Sequence, residues 1–477
     1  MSAWIESLNE KLSSSSSQVT EVESGRILRY QDLVKEARRY YPLLQNVEQH
    51  VVTVILPNSI EYLACYIGVV KCRNIFNPVP YFVEAGELAR ILEYVQPTLV
   101  VTDRQDLQQR FANQYRVITP SQLTEMGQEP KLRTTDDDIA ALYYSSGTTG
   151  NPKGVLYSHD NNLHLISSIN RGFGFTGETR QFAFLPFGHT ASINYNILPA
   201  LFSGGPLIIS RGFDQLRNNF FNVLERYAIN YTELVPSVLR MLIRLQHNVK
   251  NLDLASMEFI GCGSSTLDLD SQVRFIQQYG IKTANLYGLS ETGPSHIDDP
   301  RESNWEPGSI GKPLDVNQCR IAEDGEILLK GRNVFVGYYK NQALYNEVVQ
   351  NGWFQTGDLG EVRAGRFYFT DRKKDLIIKS GINIVPAEIE EIIYRCTDVL
   401  ECAVVGRPDP IHGEVVVAAL VAKSPELVHG LEQRVHRVCT ENLSSYKIPS
   451  QFQVVDEIPK THSGKLLRKV IRAKMAK

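Results

Sequence analysis

Residues 143–159 read YYSSGTTGNPKGVLYSH. Serines, threonines and glycines crowd together, a proline and a lysine follow, and an apolar run then resumes. A stretch of this kind buries little, so its value lies in what it exposes. It offers backbone N–H groups, the hydroxyls of Ser145, Ser146, Thr148 and Thr149, and the ammonium of Lys153. Those are the groups a polyphosphate needs. The spacing departs from the Walker phosphate loop, which requires four residues between its glycine and a Gly-Lys followed by Ser or Thr. Here Lys153 stands between Pro152 and Gly154. What remains is a Ser/Thr/Gly loop that enters a helix at VLYSHDNNLHLI.

The surrounding chain sets the scale. It has 477 residues, a formal net charge of −3, and 43% hydrophobic residues. That is too long for one ordinary domain and ample for a sizeable core. The near-neutral balance and the lack of a long Lys/Arg run speak against a nucleic-acid partner. The longest apolar runs, such as VVVAALVA at 415–422, are too short for a membrane span. The opening MSAWIESLNEKL has no basic cluster followed by an apolar stretch, so it does not read as a secretory signal. Trp4, Ile5, Leu8 and Leu12 fall on one face of a short helix instead, and SSSSS at 13–17 reads as a loop. The seven cysteines are scattered with no CxxC pair, which points to reduced thiols in the cytoplasm rather than disulfides or zinc. Oligomeric state is not legible.

Strands and helices alternate along the first part. VVTVIL (51–56) and TLVVTD (98–103) read as buried strands. PNSIEYLACYIGVV (57–70) reads as helical, and Leu88, Ile91, Leu92 and Val95 repeat at helical spacing before Gln96-Pro97. This is βαβ logic and predicts sheets layered with helices. Helices are expected over 156–170 and 214–228, with strands at FAFLPF, PLIIS, YTELVP, MEFIG and TANLYG between and after them. Beyond about residue 305 the character turns strand-rich, with Asp324-Gly325 as a hairpin turn. The charged run RKKD (372–375) then separates the strand RFYFT from LIIK. A compact stretch of about 100 residues follows, a typical domain size. The expected class is therefore α/β, with a large multi-sheet N-terminal domain of βα layers (1–373) and a small α+β C-terminal domain (374–477).

Four further motifs follow the opening stretch in order: LYGLSETG (286–293), GWFQTGDLGEV (352–362), DRKKDLIIKSGINIVPAEIEEI (371–392) and IPKTHSGKLLRK (458–469). Together the five resemble the adenylate-forming superfamily, which includes acyl- and aryl-CoA synthetases, luciferases and the adenylation domains of peptide synthetases. The likeness covers nearly the whole chain and is nearest to the AMP-forming acyl-CoA ligases. It implies two half-reactions. A carboxylate attacks the α-phosphorus of ATP to give acyl-AMP and pyrophosphate, and a thiol then displaces AMP. A carboxylate is already ionised at neutral pH, so the first step needs no general base. It needs cations, Mg²⁺ and backbone donors to relieve anion repulsion and to stabilise charge growing on the α-phosphate.

The resemblance assigns roles by position. Ser145, Ser146, Gly147, Thr148, Thr149, Gly150 and Lys153 would form a mobile ATP-binding loop around the β- and γ-phosphates. Glu291 would hold Mg²⁺ and Ser290 would contact the α-phosphate. Tyr287 would stack on adenine, Asp358 would accept both ribose hydroxyls, and Arg372 would add a ribose contact. Lys465, in SGKLLRK, would be the catalytic lysine of adenylation, meeting the α-phosphate and carboxylate oxygens. Lys374 would be the hinge about which the small domain rotates between half-reactions. Ser380 and Gly381, in KSGIN, would then help form the thiol channel.

The substrate is narrowed by two features. The position at which peptide-synthetase domains carry the aspartate that holds a substrate ammonium falls on Ala191, which argues against α-amino acids. His189, in LPFGH, resembles the histidine that acyl- and aryl-CoA synthetases place beside the substrate carboxylate. It is assigned positioning or gating rather than proton transfer. Ala191, Ser192, Gly263, Ser264 and Gly288 would line the rest of the acid pocket. CGSSTL (262–267) stands where the family often has SGGAPL, so Ser264 replaces a glycine. KCRN (71–74) likewise places Arg73 at a usual glycine. The function implied is activation of an aryl or a short or medium aliphatic acid with ATP and Mg²⁺, followed by transfer to coenzyme A. Two alternatives stay open: loading of a carrier-protein pantetheine, and a nucleotide- or acyl-adenylate-binding protein without catalysis.

Overall fold

A computed structural model describes residues 1–130, 134–145, 153–460 and 466–475. Among these residues the strands form four sheets, of nine, seven, five and five strands. In the seven-stranded sheet, Val51–Ile55 lies between Ile75–Pro78 and Leu99–Thr102, all parallel. All three strands are buried along their length, as parallel strands covered on both faces must be. The crossovers are helical. Ile60–Lys71 starts at Ser59, whose side chain accepts from the Tyr62 N–H. Ala85–Val95 buries Leu88, Ile91, Leu92 and Val95 and stops at Gln96, in the left-handed region at φ 49°.

The nine-stranded sheet stacks parallel strands Leu207–Ile209, Gln181–Ala183, Tyr231–Leu234, Phe259–Cys262 and Thr283–Leu289, with antiparallel strands beyond. One large apolar core joins residues from both of these sheets, among them Phe76, Tyr143, Tyr157, Tyr231 and Leu286. The N-terminal helix Ala3–Ser14 docks on it through Trp4, Ile5, Leu8 and Leu12, and the Trp4 ring stacks on Phe202 at 3.8 Å. Its N-cap Ser2 shares a hydrogen bond of 2.7 Å with His159 Nδ1. A third, antiparallel sheet runs Asn317–Ile321, Glu326–Gly331, Trp353–Arg363, with Arg366–Arg372 paired to the last. After the short 3₁₀ turn Lys373–Asp375, the chain enters the fourth sheet at Ile377–Lys379. That sheet has its own core, including Ile389, Val404, Val416, Leu420 and Leu431.

Two segments differ from the sequence reading. The expected helix 156–170 is a strand, Lys153–Ser158, followed by a helix, His159–Phe173. A capping box decides the switch: Ser158 Oγ accepts from the Asn161 N–H at 3.1 Å while Asn161 Oδ1 accepts from the Ser158 N–H at 3.0 Å. Upstream of that cap the chain pairs with Ile139–Ser145. The expected helix 214–228 divides into Phe213–Leu216 and Phe220–Arg226. The Arg73 departure has a structural account. Arg73 adopts φ 59°, a conformation that favours glycine, and its guanidinium holds the buried Asp138 through bonds of 2.8 and 3.1 Å.

Candidate active site

Asp358 sits on the strand Trp353–Arg363 directly opposite Arg372 on the neighbouring strand. It is 2% exposed. Its Oδ2 accepts from the Tyr287 hydroxyl at 2.9 Å, and its Oδ1 faces Arg372 Nε at 3.4 Å. A carboxylate has lone pairs for further donors after both contacts. Tyr287 comes from the nine-stranded sheet and packs its ring edge-on to His296 at 5.4 Å. Thr356, Gly357, Asp358, Arg372, Lys373 and Lys374 line a cleft of about 370 Å³, within the range of small-molecule sites. Lys373 points away to Asp324 at 2.6 Å and Glu326 at 3.1 Å. Lys374 stays with the cleft. Partial burial, and then the charges of Arg372 and Lys153, hold its ammonium below the ordinary lysine range against the pull of Asp375 and Asp358. Arg372 and Lys374 therefore edge the cleft beside Asp358, with Lys153 within electrostatic reach of Lys374, an arrangement stabilised by a bound polyanion.

Lys153 reaches that region because it opens the return strand of a hairpin, with its backbone opposite Ser145. Ser146, Gly147, Thr148, Thr149 and Gly150, and the side chain of Ser145, lie outside the described residues, as does Lys465. The YGLSE segment closes on the base of this hairpin: Ser290 Oγ donates to the Tyr144 carbonyl at 3.2 Å. Glu291, beside it, is buried. Its Oε1 accepts from the Tyr338 hydroxyl at 2.9 Å, and its carbonyl accepts from the Phe335 N–H. Tyr338 in turn belongs to a strand paired with Lys153–Ser158. The loop strand, the acid and the tyrosine that orients it are thus one assembly.

The residues expected around the acid occupy a different layer. His189 precedes the short helix Thr190–Ser192, with Phe82 at 6.5 Å between ring centroids. Ala191 packs between the two main apolar cores, and Ser192 is fully buried. Gly263 follows the strand Phe259–Cys262, with the Leu286 carbonyl so near that an added Cβ would lie 2.9 Å from it. Gly288 sits at a bulge against Gly293, where any side chain would meet backbone. Ser264 takes φ 67°. Ser380 and Gly381 form the exposed turn between Ile377–Lys379 and Ile382–Ile384, with Ser380 Oγ 2.9 Å from His412 Nδ1.

Two cations of the basic C-terminal stretch have structural partners. Arg468 grips Glu390 through bonds of 2.7 and 2.9 Å, and Lys460 pairs with Glu401. Sequence reasoning missed Tyr338, which orients Glu291 from 47 residues away. It also read RKKD only as a break and hinge, without the place of Lys374 beside Lys153.

Residues 12–339 match the family model described as AMP-binding enzyme, and residues 388–465 match its C-terminal domain. The chain belongs to the AMP-binding enzyme family. Among its relatives, a sulfoacetate–CoA ligase of Cupriavidus necator is 29% identical over 94% of this chain and 92% of its own length. A 2-succinylbenzoate–CoA ligase of Listeria monocytogenes is 32% identical over 76% of each. Among solved structures, ATP-bound MatB from Rhodopseudomonas palustris superposes with a TM-score of 0.91 at 25% identity, covering 100% of this chain and 99% of that one. The o-succinylbenzoate CoA synthetase of Bacillus subtilis with its acyl-adenylate gives 0.88 at 26% identity, covering 99% and 98%.

As a member of this family the protein is an AMP-forming acid–thiol ligase. It activates a carboxylic acid with ATP as the acyl-adenylate and transfers the acyl group to CoA. The residues present suit Mg²⁺. Among the described residues no cluster of three or more His, Cys, Asp or Glu could hold a metal by itself. Glu291 is a single buried carboxylate held in place by Tyr338, and Mg²⁺ is commonly held by one or two carboxylates together with substrate phosphates. Among the described residues no helix is long and apolar enough to cross a membrane.

Proposed function

We propose that this ligase works on a small aryl or short-to-medium aliphatic acid, and that its residues divide the work between nucleotide, acid and domain movement. Asp358 takes the ribose hydroxyls, with Tyr287 and Arg372 fixing the orientation of its carboxylate. Lys153 and the Ser/Thr/Gly loop receive the β- and γ-phosphates, and Lys374 adds a third positive charge on that side. Glu291 holds Mg²⁺, which would supply charge neutralisation between the phosphates and the incoming carboxylate. His189 positions that carboxylate. Lys465 supplies the cation that follows charge onto the α-phosphate oxygens, so no proton need move in the first half-reaction. The chain divides at Lys373/Lys374, and the small domain turns about Lys374 to bring Ser380 and Gly381 to the thiol. A cytoplasmic setting is supported by seven unpaired cysteines.

The observation that carries this reading is the placement of a buried, pre-oriented Asp358 in one cleft with Arg372 and Lys374, with Lys153 within electrostatic reach of Lys374. Titration calorimetry with ATP and Mg²⁺ tests it. Asp358→Ala should weaken ATP about 100-fold, the size expected for two charge-assisted hydrogen bonds. Unchanged affinity would remove Asp358 from the nucleotide site. For the acceptor, product analysis with CoA and with a phosphopantetheinylated carrier protein should give acyl-CoA. Acylation of the carrier alone would reassign it.

A further inference from the structure

Charges from both sides of the proposed pivot at Lys374 meet in one array. Before the pivot, Asp268 caps the helix Leu269–Tyr279, its Oδ1 accepting from the Ser271 N–H at 2.7 Å. Its Oδ2 accepts from Arg240 Nη1 at 3.0 Å, and Arg240 lies on the helix Pro236–Leu245. The capped helix packs on Pro386–Tyr394, beyond the pivot, and that helix in turn packs on the strand Val399–Asp409. The Tyr394 hydroxyl accepts from the Cys402 N–H at 3.3 Å, which ties the end of the helix to the strand beside Glu401. Glu401 pairs with Lys460. Arg240 lies within electrostatic reach of Tyr394 and Glu401, and Lys423 within reach of Asp270 and Arg274.

Asp268, Arg240, Glu401 and Lys460 thus alternate in sign, and none of the four side chains is more than 21% exposed. Exposed ion pairs are worth little, whereas attraction between charges strengthens as water is excluded. Arg240 Nε is buried with no hydrogen-bond partner among the described residues, so Asp268 alone does not satisfy the guanidinium. The far end of the array sits at a junction. Lys460 pairs across the chain with Leu466, and the Leu467 N–H donates to the Pro459 carbonyl at 2.9 Å. These contacts join the chain on either side of the segment that contains Lys465. The turn at Ser380 and Gly381, assigned to the thiol channel, differs: Ile378, Ile382 and Ile411 around it are exposed. The contacts across the pivot therefore serve the stretch that carries Lys465 and leave the thiol-channel turn to solvent.

Resting on the adenylation and domain-movement reading above, we propose that Arg240 and Glu401 are positioning residues for the first half-reaction. Their attraction across the interface, passed on to Lys460, holds the stretch carrying Lys465 to the large domain while acyl-AMP forms. The hold opposes the later movement. Weakening it lowers the population of the adenylating arrangement and costs the thiol-accepting one nothing.

The test separates the half-reactions in the full chain. Pyrophosphate release without CoA is measured with benzoate, 2-succinylbenzoate, butyrate and sulfoacetate, and thioester formation with CoA and the ready-made acyl-AMP of the acid that works. Arg240→Met and Glu401→Gln should each slow release about tenfold, a usual size for coupling between sites, and leave thioester formation unchanged or faster. The double variant should be no slower than either single one, because the two residues share one interaction. Arg240→Lys, which keeps the charge, should restore release to within about threefold. A second readout needs no acid. Nitroxides at Lys250→Cys and Glu441→Cys, both exposed positions, are placed in a Cys319→Ser background because the other cysteines are buried. With ATP and Mg²⁺ the spin–spin distance should be narrow in the wild type and broaden in Arg240→Met. A distance that does not broaden would overturn the proposal whatever the rates. Slowing of both half-reactions alike with a lowered melting temperature, slowing of thioester formation alone, or unchanged release would also overturn it and leave adenylation standing. Pyrophosphate release that never depends on an acid would instead overturn the adenylation reading.

Discussion

Asp358 shows how a single residue is prepared for its ligand. Two neighbours from different strands each engage one of its oxygens, so its orientation does not depend on nucleotide being bound. Tyr287→Phe removes one of them and keeps the ring. It should raise the KM for ATP by about tenfold, the lower end of what one hydrogen bond to a charged group is worth. Arg73 makes a separate point about stability. It holds the buried Asp138 from a backbone conformation that costs a non-glycine residue about 1–2 kcal/mol. Arg73→Ala keeps the strain and loses the ion pair, whereas Arg73→Gly loses the ion pair and relieves the strain. Urea unfolding should therefore find the glycine variant more stable than the alanine variant by about 1 kcal/mol. Both residues stand out in the sequence, Asp358 within TGDLG and Arg73 at a usual glycine. Their partners do not, because Tyr287 is 71 residues from Asp358 and Asp138 is 65 from Arg73. Only the fold closes those distances.

At the scale of elements, the N-terminal helix is tied to the rest of the molecule through a titratable contact. Ser2, its N-cap, bonds His159 at the start of the helix His159–Phe173. Burial, only partly opposed by Asp138 and Asp136, and with Arg73 adding to it, pushes the His159 imidazole down to about 4. Burial likewise pushes His296 down to about 3. Each is neutral in the fold and takes a proton more readily when unfolded. The stability they allow is thus complete above about pH 6.5 and is lost as pH falls toward 4. For His159 the loss is about 3 kcal/mol. Thermal melts from pH 7.5 to 4.5 should show it, and His159→Gln should flatten part of the slope. A profile unchanged by that substitution would contradict the contribution. This region also marks a limit of reading from sequence. Val155, Leu156 and Tyr157 are too few to declare a strand period of their own before the polar stretch 158–162, so periodicity alone merges strand and helix. The capping box at Ser158 and Asn161 was the available signal, and pairing with Ile139–Ser145 is what makes the upstream residues extended.

Across the whole molecule, the layered α/β body and the strand-rich region after residue 305 follow from hydrophobic patterning and turn chemistry, because those signals are local. The joining of two sheets into one core, and the meeting of Lys153 with Lys374, are long-range and leave no mark in composition. Lys374 carries two assignments that one pair of variants can separate. Lys374→Ala removes the charge and leaves the backbone free, so it should raise the KM for ATP several-fold and weaken both half-reactions together. Lys374→Pro also fixes φ near −65° at the proposed pivot. It should preserve adenylation at the level of the alanine variant and slow acyl-CoA formation a further tenfold or more. Equal rates of thioester formation in the two variants would place the pivot elsewhere. The most direct test of the account is pyrophosphate release measured with ATP, Mg²⁺ and acid but no CoA, in the wild type and in Lys465→Ala. Release should depend on the acid, precede any thiol, and fall by at least a hundredfold in the variant. Release that requires CoA, or that survives the loss of Lys465, would contradict it.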